Sequence, residues 1–437
     1  MIKAKKSSLW RCGLWLGMGL TGMSLTTQVI AAEDSDTGAR IKQGEYLSRA
    51  GDCVACHTAP GGKSFAGGLK MSTPVGAIYS SNITPDKNTG IGDYSEDDFS
   101  KALRQGIAKD GHHLYPAMPY PSFSKMTDND VHNLYLYFTH QVAAVDQKNR
   151  ESDIPFPLNM RWPLAVWNSV FLEKKPYYSD PQQTAAWNRG AYLVQDLGHC
   201  GSCHTPRGIG YQEKALDQND DDYLSGGTLE GWHAPNLRGD ATTGLGQWNE
   251  AEISQFLERG HTERSAAFGS MVDVIQDSTQ YLSDEDRQAI AVYLKSLPAD
   301  GKLRVQVNND STTQALEKGD VSKAGSQVYL DNCSGCHLSS GQGEKNAFPQ
   351  LAQNPAVVSE DASSVINIIL NGSHAPKTQK APTGLTMPGF AWRLDNQEVA
   401  DVVNFIRNGW GNQAPDVSAS QVKEIRKLTE PAQPKKP

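Results

Sequence analysis

Three short stretches of this chain carry cysteine and histidine at a spacing that can do chemistry: Cys53-Val-Ala-Cys56-His57, Cys200-Gly-Ser-Cys203-His204 and Cys333-Ser-Gly-Cys336-His337. Cys-x-x-Cys-His suits covalent attachment of a c-type haem, with two thiols adding to the porphyrin vinyl groups and the adjacent imidazole reaching the iron. A lone Cys-x-x-Cys could equally be a redox dithiol, half a zinc site or a disulfide. Histidine makes up only 11 of 437 residues, so its presence after all three pairs selects three haems c. The cofactor-binding residues are then Cys53, Cys56, Cys200, Cys203, Cys333 and Cys336, and the proximal ligands His57, His204 and His337.

The seventh cysteine, Cys12, lies in an address label. Residues 1–31 carry Lys3, Lys5, Lys6 and Arg11, then an apolar run, then Ala31-Ala32. That is the layout of a secretory signal peptide, with either alanine before the cut. An uncleaved anchor is the rival reading, but the run is short for a span and broken by Gly13, Gly17, Gly19 and Gly22. Haem c is attached outside the bacterial cytoplasm, so a periplasmic location follows. Cleavage would move the net charge from −8 to about −12. No basic stripe is present, so nucleic acid is excluded as a partner, and no second apolar stretch is long enough to cross a bilayer.

The elements that must hold the motifs recur three times. Each copy opens with a helical pattern holding a glycine, Gly44, Gly190 or Gly325, and cysteine follows by nine, ten or eight residues. Each closes with a capped amphipathic helix starting at Thr127, Ser283 or Asp395, whose cap satisfies free backbone N–H groups. A penultimate helix is expected over 95–107, 249–260 and 362–372. A glycine on one helix against a large aromatic on the other would let the pair cross closely. This arrangement resembles the crossed terminal helices of the cytochrome c fold. The expected fold is therefore all-α: three tandem cytochrome c-type domains over 32–145, 186–298 and 321–411. Prolines mark a connector over 146–185, polar residues a linker over 299–320, and a polar basic tail occupies 412–437.

Each iron needs a sixth ligand, or it stays open to small molecules. Met118, Met271 and Met387 stand at equivalent places, nine, twelve and eight residues before the closing helix. Core filling is the ordinary use of a single methionine, but threefold equivalence favours ligation. Met71 and Met126 compete in the first domain, and His112, His113, His261 and His374 precede the methionines at uneven offsets. His199 reads as solvated. Arg104 and Arg259 suit either haem propionates or helix-end solvation. Asn82 and Asn236 sit in loops whose backbone groups could fix the imidazoles.

Four further stretches carry a family resemblance: Gly51-Asp-Cys53-Val-Ala-Cys56-His57-Thr, Tyr79-Ser-Ser-Asn82-Ile-Thr-Pro-Asp86, Gly111-His-His-Leu-Tyr-Pro-Ala-Met118-Pro119 and Arg161-Trp162-Pro-Leu-Ala-Val-Trp167-Asn. The chain resembles the triheme cytochrome c subunits of membrane-bound bacterial dehydrogenases that oxidise gluconate, related sugar acids or alcohols. The resemblance implies electron transfer from a catalytic subunit, flavin- or pyrroloquinoline quinone (PQQ)-containing, to ubiquinone at the periplasmic face of the inner membrane. It also implies a small third subunit in the complex and His/Met ligation at the positions chosen above. Met271-Val-Asp departs from the Met-Pro context of the other two. The Trp162–Leu172 segment reads as buried inter-domain packing, with a partner or membrane face as the alternative. The basic amphipathic pattern of the tail suits anionic lipid or a frayed end. The chain shows no nucleotide-binding glycine fingerprint, spare cysteine or acid–base cluster, so substrate oxidation belongs to the partner. A haem peroxidase and a free periplasmic shuttle are the competing classes.

Overall fold

The structure is a computed structural model that describes residues 23–73, 75–299 and 309–429. Most of the expected leader, with Cys12, lies outside these residues. The helices that follow are set by their caps. Helices α1 (Met23–Ala50), α2 (Glu96–Gln105) and α3 (Asp128–His140) belong to the first repeat, and α4 (Pro163–Phe171) to the connector. The second repeat holds α5 (Ala185–Tyr192), α6 (Glu250–Arg259) and α7 (Asp284–Ser296). Helix α8 (Ser311–Glu317) leads into α9 (Ser326–Asn332), α10 (Ser363–Asn371) and α11 (Asn396–Asn408), and α12 (Ala419–Thr429) ends the described chain. Ser95, Asn249 and Asp395 build full capping boxes, while Thr127 and Ser283 accept from the backbone of Asp130 and Asp286.

In every repeat the opening and closing helices cross with a glycine between them. A β-carbon at Gly44 would lie 2.0 Å from the Asn133 carbonyl oxygen, at Gly190 2.0 Å from that of Ala289, and at Gly325 2.2 Å from that of Asp401. Tyr137, Tyr293 and Phe405 stand one turn further along the closing helices, as the aromatic half of the crossing.

Strict all-α architecture does not hold. The molecule is rich in helix but also carries three two-stranded antiparallel hairpins: β1–β2 (Lys70–Thr73, Gly76–Tyr79), β3–β4 (Gly227–Leu229, Trp232–Ala234) and β5–β6 (Ser373–His374, Thr386–Met387). These pairs are local in sequence and too short to show an alternating pattern.

The repeats are not equally separate. One apolar core runs from Leu47 to Leu297 through the first two, and a second gathers Leu316 to Val422. Two matching clasps join the first pair. Tyr46 donates to Asp286 at 2.6 Å and accepts from the Ser283 backbone N–H at 3.1 Å. Tyr192 donates to Asp130 at 2.6 Å and accepts from the Thr127 N–H at 3.4 Å. Each hydroxyl is thus inserted into the cap of the other repeat's closing helix, a self-complementary interface of the kind twofold symmetry produces.

Segments read as irregular also take on structure. Leu316 on α8 is buried in the third repeat's core, so part of the 299–320 linker packs. The tail pattern at 419–429 is neither frayed nor free for lipid: Val422 is buried, and Arg426 donates to the carbonyls of Ala391 and Leu394, both at 2.8 Å. Val422 and Ile425 on the apolar side of α12 pack against α10 and α11, while Leu428 is exposed.

Gly190→Ala should cost about 1–3 kcal/mol by forcing α5 off α7, whereas Gly38→Ala, with open space around it, should be neutral or slightly stabilising. Thermal unfolding of the two variants checks this. Acid should weaken the clasps. Burial pushes the Asp286 carboxyl up, but Arg189 and Tyr46 outweigh it and hold it below its ordinary value. Its contribution is complete above about pH 4 and should be lost as pH falls through the lowered folded value. Arg189→Met should flatten that part of the stability-against-pH curve.

Candidate haem-attachment sites

Each Cys-x-x-Cys-His winds into a single helical turn: Cys53–Cys56, Gly201–His204 and Ser334–His337. The histidine N–H of each returns to the first cysteine's carbonyl, at 3.0, 2.9 and 3.0 Å. Positions i, i+3 and i+4 share one face of such a turn, so both sulfurs and the imidazole are presented together. The lead-in lengths differ, and the structure absorbs the difference. In the second repeat the extra residue enters a π-helical turn, Leu193–Leu197. In the third, Gly325 itself caps α9 at φ 80°.

The six motif cysteines are free, the first of each pair half-buried and the second exposed. Burial pushes the thiols of Cys53, Cys200 and Cys333 up to about 12. A redox dithiol needs the opposite, a stabilised thiolate. Among the described residues no His, Cys, Asp or Glu cluster of three could hold a metal ion, so a half zinc site would lack its other half.

The imidazoles are fixed from behind by loop carbonyls. His57 Nδ1 lies 2.7 Å from the Ser81 oxygen, His204 Nδ1 2.7 Å from that of Pro235, and His337 Nδ1 3.0 Å from that of Pro349. A carbonyl only accepts, so Nδ1 carries the proton and Nε2 keeps a free lone pair. Burial lowers all three imidazoles, against the opposing carbonyl bond, and brings His204 to about 4. They are therefore neutral near pH 7, the form a metal requires.

Ser81 and Pro235 immediately precede Asn82 and Asn236, the residues singled out in those loops. Buried Asn82 donates to the Val145 carbonyl at 2.8 Å and accepts from Thr84 N–H at 2.9 Å. Asn236 accepts from Arg238 N–H at 2.7 Å. In the third repeat Asn412 does the holding, donating to the Leu351 and Ile406 carbonyls. Its position beyond the closing helix concealed that role in the sequence.

Met118 and Met271 are half-buried against the shared core, and Met387, on β6, against the third repeat's core. Met126 is fully buried as packing, and Met71 sits on β1 opposite Ile78. His112 pairs with Asp110, His113 meets Asn168, and His374 is exposed on β5. His199 is not simply solvated: its Nδ1 lies 2.9 Å from the Leu197 carbonyl and its ring meets Phe123 edge-on. Arg104 joins Asp128 at 2.7 Å and the Met126 carbonyl, closing α2 onto α3, and Arg259 pairs with Glu258.

The Trp162–Leu172 segment divides. Asn168 is buried and Trp167 donates to the Gly210 carbonyl at 2.8 Å, but Trp162, Val166 and Val170 are exposed, contrary to full inter-domain packing.

The cytochrome c family profile matches residues 188–298 and 322–410. The gluconate 2-dehydrogenase cytochrome c subunit of Pantoea cypripedii is 53% identical over 403 residues, 91% of either chain. The chain belongs to the dehydrogenase cytochrome c subunit family. The quinone alcohol dehydrogenase cytochrome c subunit of Gluconobacter oxydans is 46% identical over 427 residues, 95% of this chain and 87% of its own. A diheme cytochrome c-type protein of Cereibacter sphaeroides is 34% identical over 295 residues, 64% of this chain and 94% of its own. The role is therefore electron transfer with haem c, as one subunit of a dehydrogenase complex.

Asn82→Ala should cost about 1–3 kcal/mol, because it leaves the buried Thr84 N–H without its acceptor. It should also shift one redox transition, since the Ser81 carbonyl loses its support. Chemical denaturation and a spectroscopic redox titration of the same sample check both.

Proposed function

We propose that the chain carries three haems c and relays electrons from the catalytic subunit of a sugar-acid dehydrogenase, flavin-dependent and of the gluconate type, to ubiquinone. The observation that carries this reading is the threefold imidazole arrangement: neutral, pinned at Nδ1 and free at Nε2, beside two unpaired thiols. The residues fit the group. Cys53/Cys56, Cys200/Cys203 and Cys333/Cys336 would hold it, and His57, His204 and His337 with Met118, Met271 and Met387 would be its iron ligands. Haem c bound there supplies reversible one-electron redox chemistry. The chain's contribution would be one imidazole and one thioether for each haem, in place of water.

Three such sites form three cytochrome c domains. The diheme relative supports no lower count here, because it spans 64% of this chain and the third motif has the same His337–Pro349 bond as the others. The greater identity to the gluconate enzyme's subunit favours a flavin-containing partner. The same role beside a PQQ-containing alcohol dehydrogenase is the second reading, supported by the Gluconobacter relative. A small third subunit completes the assembly. Residues 1–31 are the export signal, and the mature chain works at the periplasmic face of the inner membrane, in peripheral contact with it.

Purified mature protein should contain three haems per chain by pyridine haemochrome assay, all low-spin, and should bring down a dehydrogenase subunit. Two haems would refute the count, and a high-spin fraction or peroxide turnover without partners would refute the carrier role. Met118→Ala, Met271→Ala and Met387→Ala should each make one centre, and only one, bind exogenous imidazole or carbon monoxide.

A further inference from the structure

The two clasps that join the first repeats differ at one buried position. Tyr46 is followed four residues later by Ala50, and Tyr192 four residues later by Asp196. Both side chains are buried, Ala50 at 4% and Asp196 at 0% exposure. Apolar packing therefore suffices at this place in the first repeat, and the second repeat puts a carboxyl there instead. Neither oxygen of that carboxyl has a hydrogen-bond partner. Burying an unpaired carboxylate is costly, so the place favours the protonated form.

The surroundings supply a route for the proton. Residues four apart share a helix face, and the Tyr192 hydroxyl lies beside Asp196. That hydroxyl has a single proton, which it donates to Asp130 at 2.6 Å. Its oxygen accepts from the Thr127 N–H at 3.4 Å and keeps a second lone pair for a protonated Asp196. Asp130, on α3, is only half-buried. Asp196, Tyr192 and Asp130 thus form a line from the interior to solvent.

The other titratable groups packed around Asp196 are committed elsewhere. Lys125 bonds the Gln195 side chain at 3.1 Å and the Leu216 carbonyl, and Arg104 on α2 joins Asp128. Tyr120, in the turn before Lys125, donates to Asn168. On α1, Tyr46 and Arg49 are turned to Asp286 and to the Tyr281 ring, and on α7 Tyr293 meets Gln195 and Gln218. Burial pushes the Asp196 carboxyl well above the ordinary carboxylate value, helped by Asp130 and outweighing Tyr192, Lys125 and Arg104. The Asp196 carbonyl accepts from the His199 N–H at 2.9 Å, so the residue belongs to the turn that leads into Cys200.

We propose that Asp196 is a redox-linked proton site. As the haem held by Cys200 and Cys203 gains an electron, Asp196 takes up one proton from solvent through Asp130 and Tyr192, and it releases that proton when the electron leaves. The inference rests on the reading that this motif carries haem. The electron comes from the catalytic subunit and the proton from water, so the interior gains no net charge. An uncompensated charge there would be only weakly screened.

Spectroscopic redox titration of haem-loaded mature protein between about pH 5 and 9 tests this. The second centre is the transition that Met271→Ala displaces. Its midpoint should fall as pH rises, because the reduced state binds the additional proton, with the reduction equilibrium changing about two- to ten-fold per pH unit. Asp196→Asn should flatten that dependence at this transition, leave the other two unchanged and keep three haems by pyridine haemochrome assay. Asp196→Ala, which copies the first repeat, should do the same without lowering the thermal midpoint. Redox-difference infrared spectra of the wild type should show a protonated carboxyl band that Asp196→Asn removes. Variants whose second transition keeps the wild-type pH dependence would overturn the proton site alone. Wild-type protein without haem on Cys200 and Cys203 would overturn both the site and the reading beneath it.

Discussion

A carbonyl oxygen of each closing helix occupies the place where the opening helix would otherwise carry a β-carbon. Gly44 against Asn133, Gly190 against Ala289 and Gly325 against Asp401 are the same contact made three times. Any side chain would drive the axes apart, and the attachment motif would move with the opening helix. The contact therefore fixes where each cysteine turn begins. Chain length between glycine and cysteine is then adjusted locally: a π-helical turn takes up one residue in the second repeat, and a helix that starts at its glycine suits the shorter third.

The tyrosine clasps depend on this crossing. Tyr46 and Tyr192 lie two residues after their glycines, on helices already held at the caps they must reach. In a self-contained capping box the third residue of the helix returns to the cap N–H. The third repeat does this, with Glu398 accepting from Asp395 N–H at 2.9 Å. In the first two repeats a tyrosine hydroxyl from the other repeat stands between the partners instead. Gln327 replaces tyrosine in the third repeat and bonds Asp331 on its own helix. One residue type thus separates a fused pair from an appended unit.

Much of this was legible because it is local. Caps, helix periods and the Cys-x-x-Cys-His turns depend on neighbours within a few residues, and the penultimate and closing helices stand where their patterns put them. The imidazole partners were legible only as loops, since the selected carbonyl depends on how Asn82 or Asn412 holds the chain. The clasps join residues more than 60 apart and leave no periodic trace. Amphipathic patterns on α4 and α12 announced apolar faces without naming what covers them. For α12 it is protein; on α4 Trp162, Val166 and Val170 stay uncovered, because Trp167 and Asn168 already satisfy the docking side.

The two boundaries between repeats also differ in kind. The first is continuous core plus clasps, so separating the repeats would expose apolar surface and uncap two helices together. The second joins β3–β4 to α10, residues 263–264 to 345–354, and Gln276 and Gln280 to 377–379, and consists largely of polar contacts. Thr228 donates to Asp361 at 2.6 Å, Ser364 donates to the His233 carbonyl at 2.9 Å, and Asn367 donates to the Gly231 carbonyl at 3.1 Å. Water can replace such bonds at small net cost, whereas it cannot replace buried apolar contact. Rigid spacing is therefore built into the first two attachment sites, and the third is joined to them through an interface whose hold is directional rather than apolar.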